Sequence, residues 1–229
     1  MADIIPAVMP ASLSDLREKL AQVDGLVPYV QVDVMDGLFV PNRSWPYVPG
    51  GLDELQRIVA EEDGMPFWNT LRYEVDLMVG NAEMAVTQWF SAGARRFVVH
   101  VESVEDFGAV ADFFDAEARA QDDAAELGIA VNVGTPNALV EPFLDRVDFV
   151  QCMGIYAIGF QGEPFDERVL EKIVDLRGHY PDVILSVDGG VNLESAPVLI
   201  EAGVDRLVVG SALFESEDIE ETLREFQSL

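Results

Sequence analysis

The chain has 229 residues, 42 acidic and 14 basic, which gives a formal charge of −28 and a pI near 4.1. Such a surface repels nucleic acid and anionic membranes, and no apolar run reaches the roughly eighteen residues of a membrane-spanning helix. The single cysteine, Cys152 in "FVQCMGI", excludes an internal disulfide and a cysteine-based zinc cluster and reads as a buried structural thiol.

In chain order, β-rich runs alternate with amphipathic segments. The first strand is expected at "IIPAVM" (Ile4 to Met9), followed after a Ser12 N-cap by the helix "SLSDLREKLAQV". The second strand, "YVQVDV" (Tyr29 to Val34), leads into "PNRSWPYVPGG" and "EEDGMPFWNT", whose proline, glycine and tryptophan predict irregular loops on either side of the second helix. Next come "YEVDLMV" (Tyr73 to Val79), the helix "NAEMAVTQWFSAG" ending at Gly93, and "RFVVHV" (Arg96 to Val101). A long acidic helical region is expected from Asp106 to Leu127, then "GIAVNV" (Gly128 to Val133) and "DFVQCM" (Asp148 to Met153). "VILSVD" (Val183 to Asp188), "RLVVGS" (Arg206 to Ser211) and the helix "SEDIEETLREF" complete the series, with Ala92-Gly93 and Ala202-Gly203 as helix C-caps.

Near-continuous apolar runs suit parallel strands covered by helices. Eight strand–helix pairs without a linker predict an α/β fold, a closed (β/α)8 TIM barrel, in one domain of residues 1–229, with an open doubly wound sheet second. The first ten residues show no basic region followed by a cleavage signal, so the expected setting is the cytoplasm.

In such a barrel the active site forms at the C-terminal ends of the strands. Asp33, Asp36, Asp76, His100, Asn132 and Asp188 all fall at or near those ends. A lone strand-end aspartate often caps the next helix, but six polar residues at one mouth point to a site. The glycine-rich stretches "GFQG" (Gly159 to Gly162), "DGGVN" with Gly189 and Gly190, and "GSALF" with Gly210 and Ser211 follow strands six, seven and eight. Singly they read as turns. At the ends of the last strands they predict phosphate binding by backbone N–H groups, which supply positive potential without lysine.

With these residues in place, the sequence resembles the ribulose-phosphate 3-epimerase family over nearly its whole length. "VDVMDGLFVPN", "VDLM", "VVHVE", "VNVGTP", "GFQGEPF", "VDGGVN" and "LVVGSALF" match its motifs in order, apart from a longer segment between Asn42 and Tyr73. The resemblance implies a ribulose-phosphate-binding (β/α)8 barrel that inverts a carbon of a ketose phosphate by a two-base 1,1-proton transfer. It makes Asp33 and Asp188 the acid/base carboxylates, and sets Met35, Met78 and Met153 along the pocket, where ordinary core packing is an equal reading. It implies a divalent metal held by two histidines and two aspartates, yet Gln31 and Asp76 stand at the histidine positions. The ligand set becomes Gln31, Asp33, Asp76 and Asp188, oxygen donors that favour Mg or Mn over Zn. Ala7 replaces a serine, and "MGIYAIGFQG" is one residue longer than the family pattern and lacks its asparagine-proline step.

Two readings follow. One is an epimerase acting on a phosphorylated ketose. The other is a phosphosugar-binding barrel without turnover, and assembly into a homo-oligomer is open in both. A decarboxylase or synthase is disfavoured, because both lysines, Lys19 and Lys172, lie in helical segments rather than at strand ends. Asp36 is expected to organise the loop "DGLFVPN" rather than to take part in chemistry.

Overall fold

A computed structural model describes residues 2–119 and 124–229. Eight parallel strands close in sequence order into a barrel: β1 Asp3–Val8, β2 Tyr29–Met35, β3 Arg72–Met78, β4 Arg96–His100, β5 Glu126–Val131, β6 Phe149–Met153, β7 Ile184–Asp188 and β8 Arg206–Val209. All eight expected strands are present, with ends displaced by no more than two residues.

Side chains alternate across each strand, so one set faces the helices and the other the barrel axis. Val30, Val32 and Val34 of β2 belong to the large core between strands and helices, together with Val75 and Leu77 of β3 and Leu185 and Val187 of β7. The inward set is unusually polar, with Gln31, Asp33, Glu74, Asp76, Arg96, His100, Gln151, Ser186 and Arg206 all buried. The valines of the second strand therefore hold it to the outer layer, and its polar residues turn to the axis.

Several helices start at a side-chain cap. Ser12 accepts the Asp15 N–H at 3.1 Å before α1 Leu13–Leu20. Asn81 caps α3 Ala82–Ser91 and Asp218 caps α8 Ile219–Gln227 in the same way. Between these lie α2 Gly51–Val59, α4 Phe107–Phe113, α5 Arg168–His179, α6 Ser195–Ala202 and the single turn α7 Ser211–Phe214. Gly203 closes α6 at a φ of 106°, open to glycine without strain.

Two expectations need correction. No α-helix joins β5 to β6 among the described residues; two 3-10 turns, Asn137–Leu139 and Glu141–Phe143, take its place, since Pro136 and Pro142 offer no N–H to a helix ladder. The helical region expected from Asp106 to Leu127 is α4 plus a π-helical turn, Phe114–Ala118. Residues 120–123 of that expectation lie outside the described residues, and Glu126 and Leu127 belong to β5, paired with Arg96 and Phe97 of β4. The loop "PNRSWPYVPGG" is irregular, as expected, and it is pinned. Trp45 is fully buried, edge-on to Trp89 at 5.5 Å, with its indole N–H donating to Glu54 at 2.9 Å.

The end of the barrel opposite the expected site is plugged by charge. Arg96 donates to Glu74 at 3.3 Å and to Glu126 at 2.7 Å, and Arg206 reaches the same Glu126 oxygen at 3.3 Å. Tyr29 lies under the Arg96 guanidinium at 3.9 Å and Phe149 under Arg206 at 4.7 Å. Burial outweighs both arginines at Glu74 and pushes its carboxyl up to about 7. The folded chain thus binds the Glu74 proton more tightly than the unfolded chain does, and this contribution to stability is full below the unfolded value and lost as pH rises towards 7. Glu74→Gln should remove that dependence. Urea unfolding of parent and variant near pH 5 and near pH 8 should show the parent losing on the order of 3 kcal/mol more than the variant over the interval.

Candidate active site

The site begins at the C-terminal end of β2, where the segment after the strand folds back and is tied down. The Ser44 hydroxyl donates to the Asp33 carbonyl at 2.6 Å and accepts the Met35 N–H at 2.9 Å. Asp36 accepts the Leu38 N–H at 2.8 Å and the Gly80 N–H at 2.9 Å, which joins the loop after β2 to the loop after β3. The Asn42 amide donates to the Gly159 carbonyl at 2.8 Å, across to the loop after β6. Asp36 and Asn42 are therefore architectural, as expected for Asp36, and the brace sets where Asp33 points.

Asp33 and Asp76 are register partners on β2 and β3, and Met153 and Asp188 are partners on β6 and β7. Asp33, Asp76 and Asp188 bring carboxylate oxygens to within 4.8 Å of one another. Gln31, one inward position below Asp33, donates through Nε2 to Asp33 Oδ1 at 2.8 Å and to Asp188 Oδ2 at 2.7 Å. His100 is fully buried, and its Nε2 lies 3.1 Å from Asp76 Oδ1.

Burial, followed by the charges of Asp188 and Asp76, raises the Asp33 carboxyl well above its ordinary range. Burial and the Asp76 charge likewise raise Asp188, against the opposing Gln31 hydrogen bond. For His100, burial favours the neutral ring, but Asp76, through charge and hydrogen bond, with Glu102 and Asp188, turns the net shift upwards. These shifts have one origin, negative charge crowded where water does not screen it.

A divalent cation fits this centre. Three carboxylates converge on one point, and their repulsion is what a dication relieves; Gln31, expected as a fourth ligand, instead turns its NH₂ end to Asp33 and Asp188, with Oε1 buried and without a hydrogen-bond partner among the described residues. The donors are oxygens.

Above the carboxylates lies a cavity reached by Asp33 and Asp188. Met78, Met153, Gly159, Gly162, Gly189, Gly190, Gly210 and Ser211 line it as well, so three glycine loops meet at one mouth. Gln31, Met35, Asp76 and His100 sit beneath it, fully buried; Met35 packs with Met78 and Val40. Ala7 lines the cavity with a methyl group, and Asn132, half-buried at the end of β5, lies outside the lining. At Gly190, φ is +67° and a Cβ would lie 2.6 Å from the Phe165 Cα, so no other residue fits. At Gly210 a Cβ would meet nothing closer than the Ala7 carbonyl at 3.6 Å.

Four residues of the site escaped the sequence reading. Gln161 and Glu163 line the cavity, inside a stretch read only for its glycines. Gln151 and Ser186 are buried beneath it, with Gln151 Nε2 3.2 Å from Asp76 Oδ2. Both stand two residues before a strand-end site residue, Met153 and Asp188, and this shared alternation is the signal that marks them as inward-facing.

A parallel (β/α)8 barrel with acidic residues and glycine loops gathered at the C-terminal strand ends defines the class, the (β/α)8 barrels that build their site at that end. Solved structures agree on the fold. KGPDC from Streptococcus mutans superposes with a TM-score of 0.73 at 13% identity, covering 99% of this chain and 96% of the other. A 3-hexulose-6-phosphate synthase gives 0.68 at 20% identity, covering 99% and 98%. Within that class, the chain belongs to the Ribulose-phosphate 3 epimerase family, whose profile matches residues 3–214. Ribulose-phosphate 3-epimerase of Bacillus subtilis is 28% identical over 99% of both chains. The chloroplastic ribulose-5-phosphate-3-epimerase of Arabidopsis thaliana is 33% identical over 97% of this chain and 76% of that one. The Mycobacterium tuberculosis ribulose-phosphate 3-epimerase is 30% identical over 94% and 87%.

The two glycines make opposite predictions. Gly210→Val should weaken binding of a ketose phosphate at least tenfold by calorimetry while leaving the unfolding midpoint unchanged. Gly190→Ala should destabilise the fold by about 1–3 kcal/mol in urea unfolding, through its left-handed backbone and contact with Phe165.

Proposed function

We propose that this protein is an isomerase that inverts a carbon next to the ketone of a phosphorylated ketose, by 1,1-proton transfer between two bases. The carrying observation is the pair Asp33 and Asp188, which face one cavity and are joined through the Gln31 amide at 2.8 and 2.7 Å. A two-base transfer starts with one group as carboxylate and the other as acid. Two close carboxyl groups whose ionisation burial and mutual repulsion hold back supply that mixed state near neutral pH. Asp33 takes the carbon-bound proton from one face, and Asp188 gives its own to the other. Reversal uses the same groups in exchanged roles. A carboxylate is too weak a base for a carbon acid in water, and desolvation in this pocket makes it stronger.

Asp33, Asp76 and Asp188, with the Gln31 carbonyl, form the set that would hold a divalent ion, Mg or Mn rather than Zn. Bound there, it supplies positive charge against the negative charge that develops on the substrate oxygens. The phosphate is assigned to the loops of Gly159, Gly162, Gly189, Gly190, Gly210 and Ser211, whose backbone donors answer the unfavourable field of a chain carrying −28. That field also disfavours nucleic acid and anionic membranes as partners, and among the described residues no helix is long and apolar enough to cross a membrane. A cytoplasmic setting suits the buried free thiol of Cys152, pushed up to about 12 by burial. Carbanion protonation by a lysine is disfavoured, since Lys19 lies in α1 and Lys172 in α5.

Asp33→Asn and Asp188→Asn should each lower turnover of a ketose phosphate by ~10²–10⁴, with the thermal midpoint held or raised because a repelling charge is gone. Parent rates in both variants, or no solvent deuterium entering any ketose phosphate with the parent, would sink the proposal in favour of a binding barrel. A second expectation concerns the metal. The double change Gln31→His and Asp76→His should shift the competition between Mn²⁺ and Zn²⁺ towards zinc by at least tenfold, and zinc retained tightly by the unaltered protein at this site would contradict the ligand set.

A further inference from the structure

Gln151 occupies the middle of the barrel, fully buried on the inward face of β6. Desolvating an amide there costs several kcal/mol unless its hydrogen bonds are met, and an aliphatic side chain would fill the same space without that cost. Its bonds all run towards the carboxylate centre or its neighbours. Nε2 lies 3.2 Å from Asp76 Oδ2, 3.5 Å from Asp188 Oδ2 and 4.0 Å from the Met153 sulfur, and Oε1 accepts the Ser186 hydroxyl at 3.4 Å. Ser186 takes the carbonyl end of the amide, so the NH₂ end is the one that meets the carboxylates. From the other side, the Gln31 amide donates to the same Asp188 Oδ2. Two amides on β2 and β6 thus converge on one oxygen of Asp188, Oδ2, and neither takes Oδ1.

We propose that Gln151, oriented by Ser186, is a positioning residue: it holds Asp76 and Asp188 at the spacing that lets them share a divalent ion and turns Asp188 Oδ1 towards the substrate. The second half rests on the assignment of Asp188 as an acid/base group, while the first half stands on the carboxylate geometry alone. Hydrogen-bond partners that orient metal-binding side chains are worth about 10–100-fold in affinity or activity, and that is the size of effect assigned to Gln151.

The test uses the full chain, with Gln151→Leu and Gln151→Met as apolar replacements of similar volume and Ser186→Ala as the milder perturbation. Calorimetric titration with Mn²⁺ alone should show affinity reduced about 10–100-fold in the Gln151 variants and less, in the same direction, in Ser186→Ala. With a ketose phosphate, kcat should fall about tenfold or more while KM, set by the glycine loops, stays within about threefold. The thermal midpoint should hold, since an aliphatic side chain replaces a buried amide. Parent-like Mn²⁺ affinity in the variants, or a parent that binds no Mn²⁺, overturns the proposal. So does a loss in which kcat and midpoint fall while KM rises, because that marks a structural role. A parent without turnover defeats the epimerase reading instead, and the Mn²⁺ titration still decides Gln151. If both Gln151 variants fail to fold, Ser186→Ala decides it by the same two readouts.

Discussion

The mutual repulsion of three carboxyl groups governs this structure. Two unit charges 4 Å apart repel by about 4 kcal/mol at the effective dielectric of a protein surface, and by more as water is withdrawn. Asp33, Asp76 and Asp188 meet within 4.8 Å at the mouth of a closed barrel. Such a cluster persists only if protons, amide donors or a cation offset its charge, and the surrounding residues supply the first two. Gln31 bridges two of the three, Gln151 reaches two, and His100 backs Asp76. The suppressed ionisation of Asp33 and Asp188 expresses the same constraint through protons.

A barrel can carry so polar an axis because its stability is secured elsewhere. The helix-facing residues of every strand feed one large apolar core, which extends from Ile4 to Phe226. The axis holds only small apolar clusters, such as Ile5, Ala7 and Val208, or Val98, Ala130 and Phe149. The lower axis is filled by Glu74, Arg96, Glu126 and Arg206, in which the arginines pair with carboxylates and stack on rings, while Glu74 Oε1 and Arg206 Nη1 stay without a hydrogen-bond partner among the described residues. Removing one member of such a buried pair strands the other, so the network is worth more intact than its pairwise sum suggests. This division of labour frees the upper axis to hold charge that the fold itself does not need.

How much of this is legible in the sequence follows from the range of each interaction. The strands are, because "YVQVDV" and "RFVVHV" concentrate β-branched residues that pack on a pleated surface. So are the strand-end aspartates and the glycine loops, because chain order fixes which end of a parallel strand they occupy. Long-range register is not. Nothing local in "DFVQCM" says that Gln151 lies across the axis from Gln31, or that His100 turns to Asp76 rather than to the cavity. The missing helix between β5 and β6 could have been read from Pro136 and Pro142, but hydrophobic spacing alone concealed it. Glu126 and Leu127 favour a helix by propensity and become strand because β4 presents a partner edge and Arg96 a countercharge.

The amide set among these carboxylates has a chemical consequence at the centre. A glutamine does not titrate, and it offers a donor at one end and an acceptor at the other. Here the donor end spans Asp33 and Asp188, and the acceptor end, Gln31 Oε1, has no partner among the described residues. A cation held by the carboxylates would be met by that carbonyl only with the amide turned, at the cost of the two hydrogen bonds it gives the acids. Protons, the amide and a dication therefore compete for the same oxygens. Each neutralises the cluster differently. Protons leave a carboxyl group that can donate, the amide fixes its direction, and a dication removes the repulsion that holds the proton in place. A site with two imidazoles has less negative charge to offset and so depends less on that competition. In this chain the carboxylates and the amide that would enter such a competition stand together on the barrel axis, so whatever fills the space between them bears on the protonation of both Asp33 and Asp188.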